Sequence, residues 1–122
     1  MQGSVVLIEQ EEDIATLICD ILTAAGLKVV WIIEGSTAVE QTILLQPVAV
    51  IVDMQLPGID GVEIIQQLRQ TNRSQTLKIL ALTTFDTYID SESCYAVGAD
   101  ECLTKPINLE YLLSKMIDLL TK

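Results

Sequence analysis

Four polar side chains, each next to a short apolar segment, could do chemistry together if the fold joins them. Glu9 follows the first of these segments and Asp53 the third, while Thr83 follows the fourth and Lys105 comes after the fifth. Two carboxylates, a hydroxyl and an ammonium suit the binding of a hard divalent cation with an anionic group beside it. Such a site requires that residues far apart in the sequence lie at one edge of the fold.

The segments that must position these side chains begin with short apolar stretches. Most of these stretches are rich in β-branched residues, which is typical of strands that are buried on both faces. Strands are therefore predicted at Val5–Ile8, Leu27–Ile33, Val48–Val52 and Leu77–Leu82, with a shorter one around Cys102 and Leu103.

Between the predicted strands, apolar residues recur at the three- and four-residue spacing of amphipathic helices. The clear helical patterns lie at Ile14–Leu22, Ile64–Leu68 and Leu109–Leu120. Gly26 supplies a stop for the first of these helices, and Asn108 supplies an N-cap for the last. Weaker patterns lie at Ser36–Leu45 and Asp86–Val97; the second is rich in Ser, Thr and Asp, so a marginal, mobile helix is expected there.

The order of these elements is strand then helix, repeated along the chain. Strands separated by single helices cannot form hairpins, so they must pair in parallel through right-handed crossovers. This predicts an α/β fold with a five-stranded, doubly wound parallel sheet and helices on both faces. In such sheets the site lies beyond the carboxyl ends of the central strands, where the strand order reverses. The four polar side chains all fall at that edge.

Length and charge limit the classes of function. The 122 residues fit one compact domain, so a single domain is predicted over residues 1–122, with a core at residues 4–121 and no output domain in this chain. Seven basic and seventeen acidic side chains give a net charge of −10. This acidity argues against direct nucleic-acid binding and against an anionic membrane surface.

Cysteine and histidine usage excludes further classes. The chain has three cysteines without CxxC spacing and no histidine, which excludes the usual Cys/His zinc sites and a histidine base. The N-terminal residues lack the pattern of a signal peptide, and no apolar stretch reaches the roughly 18 residues of a membrane span. A cytoplasmic protein with reduced thiols is expected.

Several short motifs, taken in order along the chain, resemble the receiver domains of response regulators in two-component signalling. They are the acids from Glu9, VDMQLPGIDG at Val52–Gly61, LTT at Leu82–Thr84 and TKP at Thr104–Pro106. The resemblance runs from Val5 to Leu120. Each motif alone is weak, but this set in this order is specific, and it implies the flavodoxin-like receiver topology. The dinucleotide, P-loop and nucleophile-elbow motifs of other α/β folds are absent from the sequence.

The resemblance implies that Asp53 is a phosphoacceptor. Asp53 would take a phosphoryl group from a phosphohistidine on a sensor histidine kinase or a histidine phosphotransfer protein. Thr83 would donate its hydroxyl to one phosphoryl oxygen and Lys105 would pair with another; the Lys105–Pro106 bond is often cis in relatives. The domain would promote its own phosphorylation and dephosphorylation without turning over a separate substrate, so it is not expected to be an enzyme in the usual sense.

The resemblance also implies a cofactor and further partners. Mg²⁺ would be held by Glu9, by Asp53 and by the main-chain carbonyl of Gln55. The signal would pass to an output domain or target protein through a change in the surface formed by helix four, strand five and helix five. Relatives commonly form homodimers through the same surface.

Two positions depart from the family pattern. Relatives commonly have two adjacent acids after strand one, whereas Glu9 is followed by Gln10, which is expected to be a weak metal ligand. Relatives usually carry an aromatic residue three positions before the lysine, where this chain has Cys102. With half of the usual switch absent, a signal would have to run through Thr83 and the loop after strand four.

These departures keep a second hypothesis open. The chain could be a pseudo-receiver, a protein-interaction module that acts without phosphorylation; an unrelated small α/β enzyme is a third hypothesis. Structural roles also compete residue by residue. Asp53 could simply cap the loop after strand three. Glu9 could be no more than an acidic residue of the kind favoured near a helix N-terminus. Thr83 could be an ordinary strand threonine. For Cys102, packing as a small apolar residue is preferred over a redox role.

Overall fold

The computed structural model of the chain describes residues 3–56, 58–71, 76–84 and 91–121, with the backbone alone described for residues 91–93. The strands are β1 (Ser4–Ile8), β2 (Lys28–Ile32), β3 (Ala49–Asp53), β4 (Lys78–Thr84) and β5 (Glu101–Lys105). The helices are α1 (Glu12–Ala24), α2 (Ala38–Leu45), α3 (Gly61–Arg69), α4 (Ser91–Ala96) and α5 (Leu109–Leu120).

The described strands form one five-stranded parallel sheet in the order β2-β1-β3-β4-β5. The strand order reverses between β1 and β3, so the point where a doubly wound sheet binds its ligands lies at their carboxyl ends. There Ile8 is in register with Val52, and Asp53 is in register with Leu82. The predicted fold class is confirmed.

The core lies on both faces of the sheet. Val52 and Ile65 belong to the cluster between the sheet and α3, whereas Ile51 and Leu112 belong to the cluster between the sheet and the pair α1 and α5. All five residues of β3 are buried, as expected for a central strand covered on both sides. Each fully buried Leu or Ile contributes about 1.5–3 kcal/mol relative to exposure, so this core holds the ends of β1 and β3 in place.

Two predicted helix boundaries are confirmed by their backbone geometry. Gly26 has a φ of +93°, and its N–H donates to the carbonyl of Thr23 at 2.9 Å, which ends α1. Asn108 caps α5, because its side-chain Oδ1 accepts a hydrogen bond of 3.0 Å from the N–H of Tyr111. At α3 the side chain of Asp60 accepts from the N–H of Val62 at 3.0 Å, so this helix also has a side-chain cap.

Other boundaries differ from the prediction by a few residues. The predicted helix at Ser36–Leu45 divides into a 3₁₀ turn at Gly35–Thr37 and the helix α2. β4 continues through Thr83 and β5 extends to Lys105, because the β-branched threonines there continue the ladder between the two strands. The predicted helix at Asp86–Val97 is covered only by α4, and residues 86–90 lie outside the described part of the chain.

A polar cluster at the other end of the sheet joins α3 to the beginnings of β4 and β5. The guanidinium of Arg69 donates to the carbonyls of Gly98 at 2.9 Å and Leu77 at 2.6 Å, and to Asp100 at 2.8 Å. The same carboxylate oxygen of Asp100 accepts from the N–H of Ile79 at 2.8 Å. These bonds hold β4 and β5 together at the edge remote from the candidate site.

Among the described helices, none combines the length and the apolar character needed to cross a membrane.

Candidate functional site

The carboxyl ends of four neighbouring strands bring the predicted residues to one edge of the sheet. Asp53 and Lys105 are the last residues of β3 and β5, Glu9 directly follows β1, and Thr83 lies next to Leu82, the register partner of Asp53. The exposed fractions of Glu9, Asp53 and Thr83 are only 0%, 2% and 4%. Polar groups this deeply buried require partners, so their presence here marks a site rather than a solvated loop.

Lys105 lies between the buried carboxylates. Its Nζ is 2.7 Å from Oε1 of Glu9 and 3.5 Å from Oδ2 of Asp53, with Oε1 of Glu11 at 3.8 Å. The side chain of Lys105 is only 10% exposed. Two buried carboxylates therefore share one ammonium, which offsets part of the cost of their desolvation.

Burial and charge act in opposite directions on the titration of this cluster. Burial raises the pKa of Glu9 to about 7, and the nearby Asp53 raises it as well, whereas Lys105 pulls it down. For Lys105, desolvation by itself would lower the pKa, but the hydrogen bond to Glu9 and the negative charges of Asp53, Glu9 and Glu11 raise it overall. The lysine therefore stays charged at neutral pH, and Glu9 takes up a proton near neutral pH.

Each buried carboxylate has one oxygen held by the main chain and one that faces the lysine. Oε2 of Glu9 accepts from the N–H of Gln10 at 2.9 Å, and Oδ1 of Asp53 accepts from the N–H of Gln55 at 3.0 Å. Apart from their contacts with the ammonium of Lys105, Oε1 of Glu9 and Oδ2 of Asp53 are buried and make no hydrogen bond of good geometry within the described residues. These two atoms are the carboxylate oxygens available to a ligand.

Two glutamines and a threonine connect the loops around the carboxylates. The amide of Gln10 donates to the main-chain carbonyl of Gln55 at 3.2 Å, and the hydroxyl of Thr84 donates to Oε1 of Gln55 at 3.0 Å. Sequence reasoning assigned Gln55 only a carbonyl role and gave Thr84 none. The contact with Thr84 spans 29 positions, and nothing in the local sequence marks it.

The indole of Trp31 is a further residue at this edge that the sequence did not single out. Its N–H donates to the main-chain carbonyl of Glu9 at 2.8 Å from the neighbouring strand β2. The bond fixes the backbone immediately before Gln10, and thus the direction in which the Glu9 side chain enters the cluster.

Comparison with known proteins identifies the family. The response regulator receiver domain family matches residues 5–117, which is most of the chain. The chain belongs to this family. The circadian input-output histidine kinase CikA of Synechocystis is 34% identical over 114 residues, which cover 93% of this chain and 15% of that kinase. This receiver therefore spans only a small part of the length of that relative.

Solved structures agree with this assignment. A response regulator from Chloroflexus aurantiacus has a TM-score of 0.92 at 27% identity, covering the whole of both chains. The receiver domain of the sensor histidine kinase PA1611 from Pseudomonas aeruginosa has a TM-score of 0.88 at 24% identity, also over the whole of both chains, and its structure has magnesium coordinated in the active site cleft. The second likeness concerns the fold alone.

Both departures from the family pattern occupy defined places in this receiver. Cys102 is half-buried, is in register with Ala81 and packs against the apolar cluster under α3, as its structural interpretation requires. Gln10 is exposed and directed at the Gln55 carbonyl. The Lys105–Pro106 peptide bond is cis, as the resemblance implied.

The oxygen donors of the receiver suit a hard cation but carry little charge. The carboxylate oxygens of Glu9 and Asp53 and the carbonyl of Gln55 are of the type that Mg²⁺ prefers. Over the described ranges, no group of three or more His, Cys, Asp or Glu side chains could hold a metal ion. With an amide at Gln10, the set fits the cation with one formal negative charge fewer than a third carboxylate would supply.

Proposed function

We propose that this receiver accepts a phosphoryl group on Asp53 from a phosphohistidine of a sensor histidine kinase or a histidine phosphotransfer protein. The observation that carries the proposal is the ammonium of Lys105 at 3.5 Å from Oδ2 of Asp53, an oxygen that is buried and makes no other bond of good geometry among the described residues. A nucleophile held beside a fixed positive charge is what phosphoryl transfer requires, because the reaction depends on positioning and on charge neutralisation.

The contacts of Asp53 and Lys105 support their proposed roles, and the role of Thr83 is taken from the family resemblance. Oδ2 of Asp53 forms the new bond to phosphorus, and the bond from phosphorus to the imidazole nitrogen of the partner breaks, with its electron pair leaving on the imidazole. Oδ1 stays bound to the N–H of Gln55, which orients the carboxylate. Lys105 and the hydroxyl of Thr83 neutralise and bind the phosphoryl oxygens at the end of β4 and β5. Because the imidazole belongs to the partner, this chain needs no histidine.

Glu9, Asp53 and the carbonyl of Gln55 would hold Mg²⁺, with Gln10 as a weak fourth contributor. When bound, the cation neutralises charge on the transferring phosphoryl group. The receiver domain of PA1611, which shares this fold, has magnesium coordinated in its active site cleft. In this chain the amide of Gln10 donates to the carbonyl of Gln55 at 3.2 Å, and the second lone pair of that oxygen is left for a cation.

Replacing Gln10 with aspartate is expected to increase the affinity for Mg²⁺ by about tenfold, because it adds one carboxylate beside Glu9 and Asp53 and removes the amide from the Gln55 carbonyl. Isothermal titration calorimetry with MgCl₂ measures the change. Gln66→Asp places the same added charge on the exposed face of α3 and is expected to leave the affinity unchanged. Equal affinities of wild type and Gln10→Asp would contradict a metal role for this position.

The proposed function is tested by incubating the protein with magnesium and a small phosphodonor. We expect a mass addition of one phosphoryl group that is stable in acid, labile in base and absent from Asp53→Asn. Asp20→Asn, which alters an exposed carboxylate on α1, is the matched control and should still be modified. The absence of any addition under all metal conditions would overturn the proposal.

That negative outcome would favour a pseudo-receiver, an interaction module that acts without phosphate. The contact between Gln10 and Gln55 supports this second function, because an amide lies where a further carboxylate would attract a cation. Lys105 also neutralises part of the cluster without a metal.

For the signal output, the face formed by α4, β5 and α5 is proposed as the docking surface. Tyr95 and Tyr111 are 45% and 51% exposed on this face. The hydroxyl of Tyr95 donates to Glu101 at 3.2 Å, and Lys115 lies 5.3 Å from the centre of the Tyr111 ring. An output domain, a target protein or a second copy of the receiver would bind there.

The setting of the domain is also a proposal. We place residues 1–122 in one domain located in the cytoplasm. The match of the receiver family over residues 5–117 supports the single domain.

A further inference from the structure

We infer that the side chain of Gln55 is a positioning residue that locks the end of β4 in its resting place through Thr84, and that phosphorylation of Asp53 has to release this lock. The inference rests on the proposed function and adds a route by which the site controls the segment after β4.

Gln55 makes hydrogen bonds with three residues around the site. Its N–H donates to Asp53, its main-chain carbonyl accepts from Gln10, and its side-chain oxygen accepts from the hydroxyl of Thr84. The first two contacts involve the groups proposed to bind phosphate and metal. The third contact reaches the last residue of β4, next to the proposed phosphate-binding Thr83.

Both proposed ligands act on the main chain of Gln55. A phosphoryl group changes the charge and the geometry of the Asp53 carboxylate that holds the Gln55 N–H. A cation bound at the main-chain carbonyl of Gln55 would act on the same atom that accepts from Gln10 at 3.2 Å. Either change shifts the residue whose side chain is bonded to Thr84, while Thr83 turns its hydroxyl toward the phosphoryl oxygens. The 3.0 Å bond from Thr84 to the side chain of Gln55 would therefore be weakened when these residues shift relative to each other.

The bond between Gln55 and Thr84 takes on this role because β5 lacks the large aromatic side chain that relatives use in signalling. Cys102 occupies the position where relatives usually carry the aromatic, and it is packed against the core rather than extended to a surface. A small packed side chain has few alternative positions to offer. The hydrogen bond between Gln55 and Thr84 instead supplies two discrete arrangements, made and broken, which a bistable element needs.

The test measures the affinity for beryllofluoride, a phosphoryl analogue, in the presence of Mg²⁺. Thr84→Val keeps the shape of the side chain but removes the donor, so the resting state loses a bond that the phosphorylated state does not have. We expect the analogue to bind about three- to tenfold more tightly to Thr84→Val than to wild type, which is the range of one net hydrogen bond.

Three further variants separate a lock from a merely structural effect. Thr84→Ser retains the hydroxyl and is expected to bind like wild type. Gln55→Ala is expected to reproduce the increase seen in Thr84→Val, and the double variant Gln55→Ala/Thr84→Val should add nothing further, because one bond can be lost only once. Amide NMR spectra of each variant verify the fold and report whether the resonances of Thr83 and of α4 shift toward the bound state before the analogue is added.

The outcomes distinguish the inference from the proposed function. If wild type binds beryllofluoride but Thr84→Val binds it equally or more weakly, the lock is wrong and the phosphoacceptor role stands. Additive effects in the double variant would likewise overturn the lock. If wild type does not bind the analogue at all, the proposed function fails, and the inference fails with it.

Discussion

Replacing Lys105 with methionine is expected to slow phosphoryl transfer to Asp53 by about a hundredfold or more, the usual cost of removing one preorganised charge-stabilising group. The ammonium is the only cation that the described residues place within 4 Å of Asp53. Methionine retains the length and the apolar stem of lysine, so the loss isolates the charge. Rates of mass addition from a small phosphodonor measure the effect, and Lys28→Met, on the exposed edge of β2, is the control.

The same substitution is also expected to destabilise the protein by about 3 kcal/mol, because it leaves Glu9 and Asp53 buried without a counter-charge. The pKa of Glu9 is already raised to about 7 in the wild type, and removing Lys105 takes away the contribution that lowers it. Protonation of Glu9 relieves part of the repulsion, so the destabilisation should be smaller at pH 6 than at pH 8. Urea unfolding followed by circular dichroism at both pH values tests this. Unchanged stability would show that the carboxylates are not held by the lysine.

Replacing Gly61 with alanine is expected to lower the free energy of unfolding by about 3 kcal/mol. Gly61 is the first residue of α3, and a Cβ there would lie 2.6 Å from the Cα of Met54 and 3.1 Å from the carbonyl of Asp53. Alanine is more favourable in a helix than glycine by about 1 kcal/mol, so helix propensity alone would predict that Gly61→Ala stabilises the protein. The added Cβ would clash with backbone atoms, which cannot rotate away as a side chain can. To relieve the clash, α3 would have to move away from the loop that follows Asp53.

Gly58 in the same loop provides the matched control. It has a φ of +81°, but a Cβ there would meet nothing within 4 Å among the described residues. Gly58→Ala is therefore expected to cost only about 1 kcal/mol of backbone strain. Equal destabilisation by Gly61→Ala and Gly58→Ala would mean that close packing at Gly61 is not the cause of the lost stability. The comparison uses the same urea titrations.

Much of the fold could be predicted because β1 and β3 are buried on both faces, which leaves an unbroken apolar pattern in the sequence. The residues at the strand ends followed from parallel geometry, which brings Glu9, Asp53 and Lys105 to one edge once the strands are placed. Element boundaries were less predictable. The threonines that end β4 are compatible with strand and loop alike, and only pairing with β5 decides between them.

Side-chain contacts between distant loops were not predictable from the sequence. The bond from Thr84 to Gln55 and the bonds from Arg69 to the carbonyls of Gly98 and Leu77 join residues without any shared local pattern. Main-chain carbonyls are present at every position, so a sequence carries no mark of which carbonyl an arginine will find. The sequence shows that Gln10 departs from the family pattern, but it does not show that the amide of Gln10 donates to the carbonyl of Gln55.

The hydrogen bond from Trp31 to the carbonyl of Glu9 has a practical consequence. Trp31 is the only tryptophan in the chain, so its fluorescence comes from one known position on the strand next to the site. Any ligand that displaces the backbone after β1 changes the polarity around that indole. The emission of the unlabelled protein is therefore an optical signal for events at Glu9, and it needs no fluorophore attached to the surfaces where partners dock.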